Sequence, residues 1–269
     1  MDPIRDAFSR LRWNRRKALI PFVMGGDPSL PLLGPLLHAL EDAGADLIEV
    51  GIPFSDPLAD GPVIQGASSR ALARGTTPPR VLEAIAAARR GLHAPVVVLC
   101  YWNPIAQYGG NGRPGSPGAF VRAAHACGVS GLIVPDLPVE EGEPLRAAAR
   151  NRLATVFLAA PTSPPDRLRM IARASEGFVY YVSVTGTTGV RRQLPPTLVH
   201  GVRQLKLLTT KPVCVGFGIA TPAQAATVAR IADGVIVGSA LVQAMQRAGS
   251  GRAALRTAAS LVRRLRRAV

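Results

Sequence analysis

Eight short Val- and Ile-rich runs, each followed by a segment with apolar residues at three-to-four spacing, predict an α/β chain folded as a (β/α)8 TIM barrel. The runs are continuous rather than alternating, which marks strands covered on both faces, as in a parallel sheet. No Rossmann-type Gly-x-Gly-x-x-Gly joins a strand to a helix, so a closed barrel is favoured over an open doubly wound sheet. The 269 residues fit one such unit, and residues 1–269 read as a single domain without a linker.

In order, a short N-terminal helix precedes "ALIPFVM" (18–24), and "PLLGPLLHALEDAGA" then shows helical spacing. The second strand is "DLIEVG" (46–51). "PRVLEAIAAARRGL" leads to the third, "PVVVLCYW" (95–102), and "GAFVRAAHACG" to the fourth, "GLIVPD" (131–136). "EGEPLRAAARNR" precedes the fifth, "ATVFLAA" (154–160). The last three are "FVYYVSV" (178–184), "PVCVGFG" (212–218) and "GVIVG" (234–238). Leu255, Leu261, Val262 and Leu265 give a terminal helix one apolar stripe and a basic face. Gly and Pro crowd "GGNGRPGSPG" (109–118), which reads as a mobile surface loop.

The formal charge is +15, and only three of the 32 basic residues are lysines: Lys17, Lys206 and Lys211. Arginines cluster at "RWNRRK" (12–17), at 191–192 and at "RRLRR" (263–267). No recognised nucleic-acid motif accompanies them and aromatics are 5%, so no nucleic-acid partner is expected. No apolar run is long enough to span a membrane, and the N-terminus reads as a strand rather than a signal peptide, which predicts a cytoplasmic protein. Cys100, Cys127 and Cys214 form no Cys-x-x-Cys pair, and Cys100 and Cys214 lie in strand-like runs as buried thiols. His38, His93, His125 and His200 lack metal-ligand spacing, so no metal is expected.

Barrel enzymes carry their sites at the C-terminal ends of the strands. Side chains alternate along a strand, so with Ile48 and Val50 against the helices, Glu49 points into the barrel near its mouth. A carboxyl group there is poorly hydrated; its pKa should rise until it can both give and take protons near neutrality. Asp60, in "LADGPVIQ", is either a second acid of the site or a helix N-cap. Asp56, in "FSDPL", suits a turn. Glycines at "TGTTG" (185–189), "GFGIA" (216–220) and "GSALV" (238–242) close three successive strands, and Gly218, Gly238 and Ser239 could present N–H groups and a hydroxyl to a phosphate. Phe22, Tyr101, Tyr180 and Phe217 converge on the same end and suit an apolar aromatic ligand. Lys17 and Lys211 precede their strands, at the wrong end for a Schiff base. The residues therefore describe acid–base chemistry on a phosphorylated substrate with a flat apolar part: an isomerase, aldol-type lyase or cyclising synthase.

"LIEVGIPFSDPLADGPVIQGASSRAL" closely resembles the signature of the α subunit of tryptophan synthase. The resemblance continues through "PFVMGGDP", "YWNPIAQYG", "GLIVPDLPVEE", "FVYYVSVTGTTGVR", "GFGIATPAQ" and "ADGVIVGSALV", nearly the whole chain. It implies retro-aldol cleavage of indole-3-glycerol phosphate to indole and glyceraldehyde 3-phosphate, with Glu49 as acid–base, Asp60 holding the indole N–H and Tyr180 beside Glu49. It assigns Thr188, Gly189, Gly218, Gly238 and Ser239 to substrate and its phosphate. Phe22, Leu99, Tyr101, Ile133, Phe217 and Ile236 become the apolar wall. Asp56, Pro57 and Asn103 would face a pyridoxal-phosphate-dependent β subunit in an α2β2 assembly, the α subunit itself carrying no cofactor. The chain departs from that pattern in the 109–118 insert, in Thr187 where valine is usual, and in Val184 where some members have arginine. A stand-alone lyase releasing indole, or a non-catalytic activating subunit, remain the alternatives.

Overall fold

The computed structural model describes residues 2–110, 115–182, 196–216, 218–249 and 251–269. Among these residues nine strands form one parallel sheet: β1 (Ala18–Met24), β2 (Ile48–Gly51), β3 (Val96–Leu99), β4 (Val129–Ile133), β5 (Ala154–Val156), β6 (Leu158–Ala159), β7 (Val179–Val182), β8 (Val213–Gly216) and β9 (Gly234–Val237). Their order is β5-β4-β3-β2-β1-β9-β8-β7-β6. Only Phe157 separates β5 from β6, so the two ends of the sheet are one run of chain, and the eight predicted strands close on themselves. At this seam the ladder is patched by a side chain: the Phe157 N–H donates to Ser175 Oγ (3.2 Å), while the Phe157 carbonyl accepts from Tyr180 (3.2 Å). Ser175 is fully buried, because water could not otherwise satisfy that amide.

The strand residues are buried nearly throughout, with helices packed outside. Register fixes which side chains face inward. Phe22 pairs with Glu49, Glu49 with Val97, Gly51 with Leu99 and Leu99 with Ile133. Paired residues of a parallel sheet point the same way, so these form one inward-facing set. Helix Pro3–Trp13 covers the N-terminal end, where Ile4 lies so close to Gly131 and Gly177 that a methyl group on either would approach it to 2.9 Å.

The N-terminal ends of the strands are held by ion pairs. Asp233 receives Lys206 (2.8 Å) and Lys17 (3.6 Å), and Lys211 Nζ donates to the carbonyls of Ala172 (2.8 Å) and Arg173 (3.0 Å). Both predicted non-catalytic lysines thus sit away from the mouth. Helix Gly251–Arg266 buries Leu261, Val262 and Leu265 with Leu255 half-buried, and Cys100 and Cys214 are buried free thiols, as the sequence predicts. Several boundaries differ: β2 begins at Ile48 rather than at 46, and the predicted fifth strand is interrupted at Phe157. β3 ends at Leu99, and Tyr101 instead caps the short helix Trp102–Ala106. β4 begins at Val129 and stops before Val134. The predicted 109–118 loop yields a helix from Pro117, because the Ser116 hydroxyl accepts the Ala119 N–H (3.1 Å); residues 111–114 lie outside the described part. Among the described residues no helix is long and apolar enough to cross a membrane, and no His, Cys, Asp and Glu cluster could hold a metal.

Candidate active site

Glu49 points into the barrel near the C-terminal rim and is 1% exposed. Its Oε2 has no hydrogen-bond partner among the described residues. Burial, with the nearby Asp60 charge second, pushes its pKa up to about 8. A buried polar atom with no partner costs about 1–3 kcal/mol; Glu49 shares this state with Arg146 Nε, Thr155 Oγ1 and the Tyr181 hydroxyl, and differs from them in being a carboxyl group at the rim. Phe22, its register partner, brings the tip of its ring over Gly51: a Cβ there would come within 2.7 Å of Cζ. Leu99, Ile133 and Ile236 share the inward face, Ile236 through its pairing with Ile20.

Asp60 is carried by the loop between β2 and helix Pro62–Ala73. Ser68, buried on that helix, ties the loop down: its hydroxyl accepts the Phe54 N–H and donates to the Phe54 carbonyl, both at 2.8 Å. Phe54 stacks on Tyr101 with ring centroids 5.3 Å apart. The Tyr101 hydroxyl accepts the Ala59 N–H (3.0 Å) and donates to Asp60. Burial raises Asp60 to about 6, against the lowering effect of that hydroxyl. The N-cap of the helix is Gly61, not Asp60, and no side chain caps it. Of the two sequence readings of Asp60, the cap is therefore the wrong one: its carboxylate turns to Tyr101.

That bond predicts a pH effect. In Tyr101→Phe the donor that holds Asp60 down is gone, so the acidic limb of kcat/KM should move to higher pH. Because Ala59 is exposed, water can take up its freed N–H and stability in denaturant should change by only about 0.5–1.5 kcal/mol. An unmoved limb would show that Tyr101 does not tune Asp60.

Tyr180 is buried on β7. Its hydroxyl lies over Gly216, where a Cβ would be 2.4 Å away; only glycine leaves room for the ring. Burial raises its pKa well above the usual tyrosine value, and Glu49, Asp60 and Cys214 add to this in that order. Tyr180 thus lies in the field of both carboxylates.

At the same rim, Gly218 takes φ +77, a left-handed conformation suited to glycine. Gly238 follows β9 and is the N-cap of helix Ser239–Arg247, whose first N–H groups have no partner within the helix. Ser239 is exposed there. Thr188, Gly189 and Phe217, with Val184 and Thr187, lie outside the described residues. Asp56 is exposed and accepts a hydrogen bond from the Ser55 hydroxyl, Pro57 is half-buried, and Asn103 is exposed on helix Trp102–Ala106. Sequence reasoning missed Ser68, the Tyr101–Asp60 contact, and Leu58, which is 91% exposed beside Asp56 and Pro57. Only the exposed Leu58 left a trace in sequence, as an apolar residue within a turn.

Comparison with known proteins agrees with this arrangement. Residues 8–269 match the family model described as tryptophan synthase alpha chain. The chain is 52% identical to the tryptophan synthase alpha chain of Gloeobacter violaceus over 89% of this chain and 85% of that one. It is 50% identical to that of Carboxydothermus hydrogenoformans, over 91% and 90%. Among solved structures it is similar to tryptophan synthase subunit alpha from Legionella pneumophila (TM-score 0.89, 37% identity, 100% of this chain and 98% of that chain). It is also similar to a chain of Mycobacterium tuberculosis tryptophan synthase (TM-score 0.87, 40% identity, 99% and 97% covered). A barrel with a buried glutamate at its mouth and this extent of likeness leaves one assignment: the chain belongs to the tryptophan synthase alpha chain family, lyase subunits that cleave indole-3-glycerol phosphate and pass indole to a beta subunit.

Proposed function

We propose that Glu49 and Asp60 divide the chemistry of this cleavage between them. The carrying observation is Glu49: fully buried, unpartnered at Oε2 and raised to about 8, it is a proton donor at neutral pH. Asp60, raised only to about 6, is ionised there. Protonated Glu49 gives its proton to indole C3 while the Asp60 carboxylate accepts the indole N–H and balances the positive charge forming on the ring. The Glu49 carboxylate so produced takes the proton of the glycerol hydroxyl next to the ring. That carbon becomes the aldehyde, its bond to C3 breaks, and the electron pair returns to the ring to give indole. Glu49 ends protonated again. Tyr180, beside Glu49, packs the ring in place.

Phe22, Leu99, Tyr101, Ile133, Phe217 and Ile236 serve as the apolar wall. The phosphate is held by Gly218, Gly238 and Ser239 together with Thr188 and Gly189, at a helix N-terminus where an anion is favoured. Asp56, Pro57 and Asn103 meet a β subunit in an α2β2 assembly, with pyridoxal phosphate confined to that subunit. The chain acts as one cytoplasmic domain without cofactor or metal.

Purified chain with indole-3-glycerol phosphate, with and without a cognate β subunit, tests this. Indole formation should be measurable alone and faster with the β subunit. Equal rates would remove the coupling; no indole in either case would remove the reaction.

A further inference from the structure

The two arginine-rich ends of the sequence meet on one surface. Arg266 donates to the Lys17 carbonyl (3.2 Å) and to Asp46 (2.6 Å), and Arg16 lies 3.7 Å from the same carboxylate. This joins residues 12–17 and 263–267 at the N-terminal end of the barrel, opposite the active-site mouth. Three of the carboxylates there are already engaged, while Asp6 and Glu176 have no ion pair among the described residues. Asp46 is held by Arg266 and Arg16, Asp233 by Lys206 and Lys17, and Asp2 accepts the Ile4 and Arg5 N–H groups. Arg10, Arg12, Arg15, Arg263, Arg264 and Arg267 have no carboxylate partner among the described residues, and all are exposed.

This face is grooved. Two clefts, of about 790 and 240 Å3, share Phe8, Arg12 and Pro212. The larger extends to Arg5, Arg152 and Lys211, with Glu176 as its further acid; the smaller extends to Arg15, Arg16 and Lys17. Trp13, 89% exposed, follows Arg12 at the end of the first helix.

We propose that this end of the barrel binds a single-stranded nucleic acid. Guanidinium groups fit phosphate oxygens in a forked geometry, and a line of cations along a groove with a projecting indole is how proteins hold a strand without reading its sequence. A bilayer is flat. It would meet Trp13, the exposed Leu207 and the outermost arginines, whereas a flexible phosphodiester chain can also follow the clefts down to the half-buried Lys17 and Lys211. Neither element of the surface was visible as a unit in the sequence, where the clusters stand some 250 residues apart, as the Arg266–Lys17 separation of 249 shows.

The test is fluorescence anisotropy of the full chain with a labelled oligouridine, across about 50–200 mM salt, where such contacts weaken steeply. The triple variant Arg12→Gln, Arg15→Gln, Arg264→Gln should bind at least about tenfold more weakly, with a salt slope smaller by about 2, at roughly 0.7 for each phosphate that is no longer neutralised. Trp13→Ala should weaken the oligonucleotide and leave the salt slope unchanged. A control of equal charge, Arg122→Gln, Arg252→Gln, Arg256→Gln, should bind as the parent does. All variants should cleave indole-3-glycerol phosphate normally, since none is near the mouth. Absence of binding at low salt, equal weakening by the control, or binding to phosphatidylserine vesicles without binding to the oligonucleotide would each overturn the proposal.

Discussion

Glu49→Gln should lower kcat/KM for indole-3-glycerol phosphate by about 10²–10⁴-fold, the usual contribution of a positioned acid–base group. The amide keeps the shape and the burial but can neither give nor accept the proton, so KM should change far less than kcat. The same change should stabilise the fold. Glu49 rises from 4.5 to about 8 on folding, so the folded chain binds more protons than the unfolded chain between those values. Stability therefore falls as pH rises through that window, and glutamine removes the dependence. At pH 7 the relief is on the order of 3 kcal/mol, at about 1.4 kcal/mol for each pH unit above 4.5. Paired measurements of indole release and of urea unfolding at pH 5 and pH 8 check both halves. A variant that turns over at the parent rate, or that gains no stability at pH 8 relative to pH 5, would remove Glu49 from the position argued for it.

Asp60→Asn should cost about 10²–10³-fold in kcat/KM, the scale of losing one preorganised electrostatic partner of a developing charge. The pH profile separates this effect from a merely misplaced loop. In the parent, activity needs Asp60 ionised and Glu49 protonated, which gives a bell with limbs near 6 and 8. In Asp60→Asn the acidic limb should vanish. The basic limb should move to lower pH, because one of the two causes raising Glu49 is the Asp60 charge; burial, the larger, remains. A profile that keeps both limbs would assign the acidic one to another group, and a basic limb that stays put would mean the two carboxylates do not sense each other.

Much of this site could be read in the sequence because it follows from period two. With Ile48 and Val50 assigned to the helix-facing layer, Glu49 had to face inward; Phe22 was legible as a strand-end aromatic, Leu99 and Ile133 only through the family resemblance, and the register puts all of them on the face of Glu49. The eight strand runs and the burial of Cys100 and Cys214 are likewise local properties of apolar patterning. Asp60 was ambiguous for the opposite reason. Locally it is a good cap, and what its carboxylate does depends on Tyr101, a residue brought over it by the neighbouring strand.

By itself, then, the chain determined which stretches become strands and helices, that the strands are buried on both faces, and that an acid would be stranded at the barrel mouth. Tertiary structure alone decided the contacts across the closed sheet: Ser175 mending the seam at Phe157, Tyr101 holding Asp60, and Arg266 drawing two distant basic segments onto one face. The division has a physical cause. Pattern along a chain is set by the nearest few residues, whereas which groups meet across a cylinder depends on strand order and stagger, and these are fixed only when the last strand closes on the first.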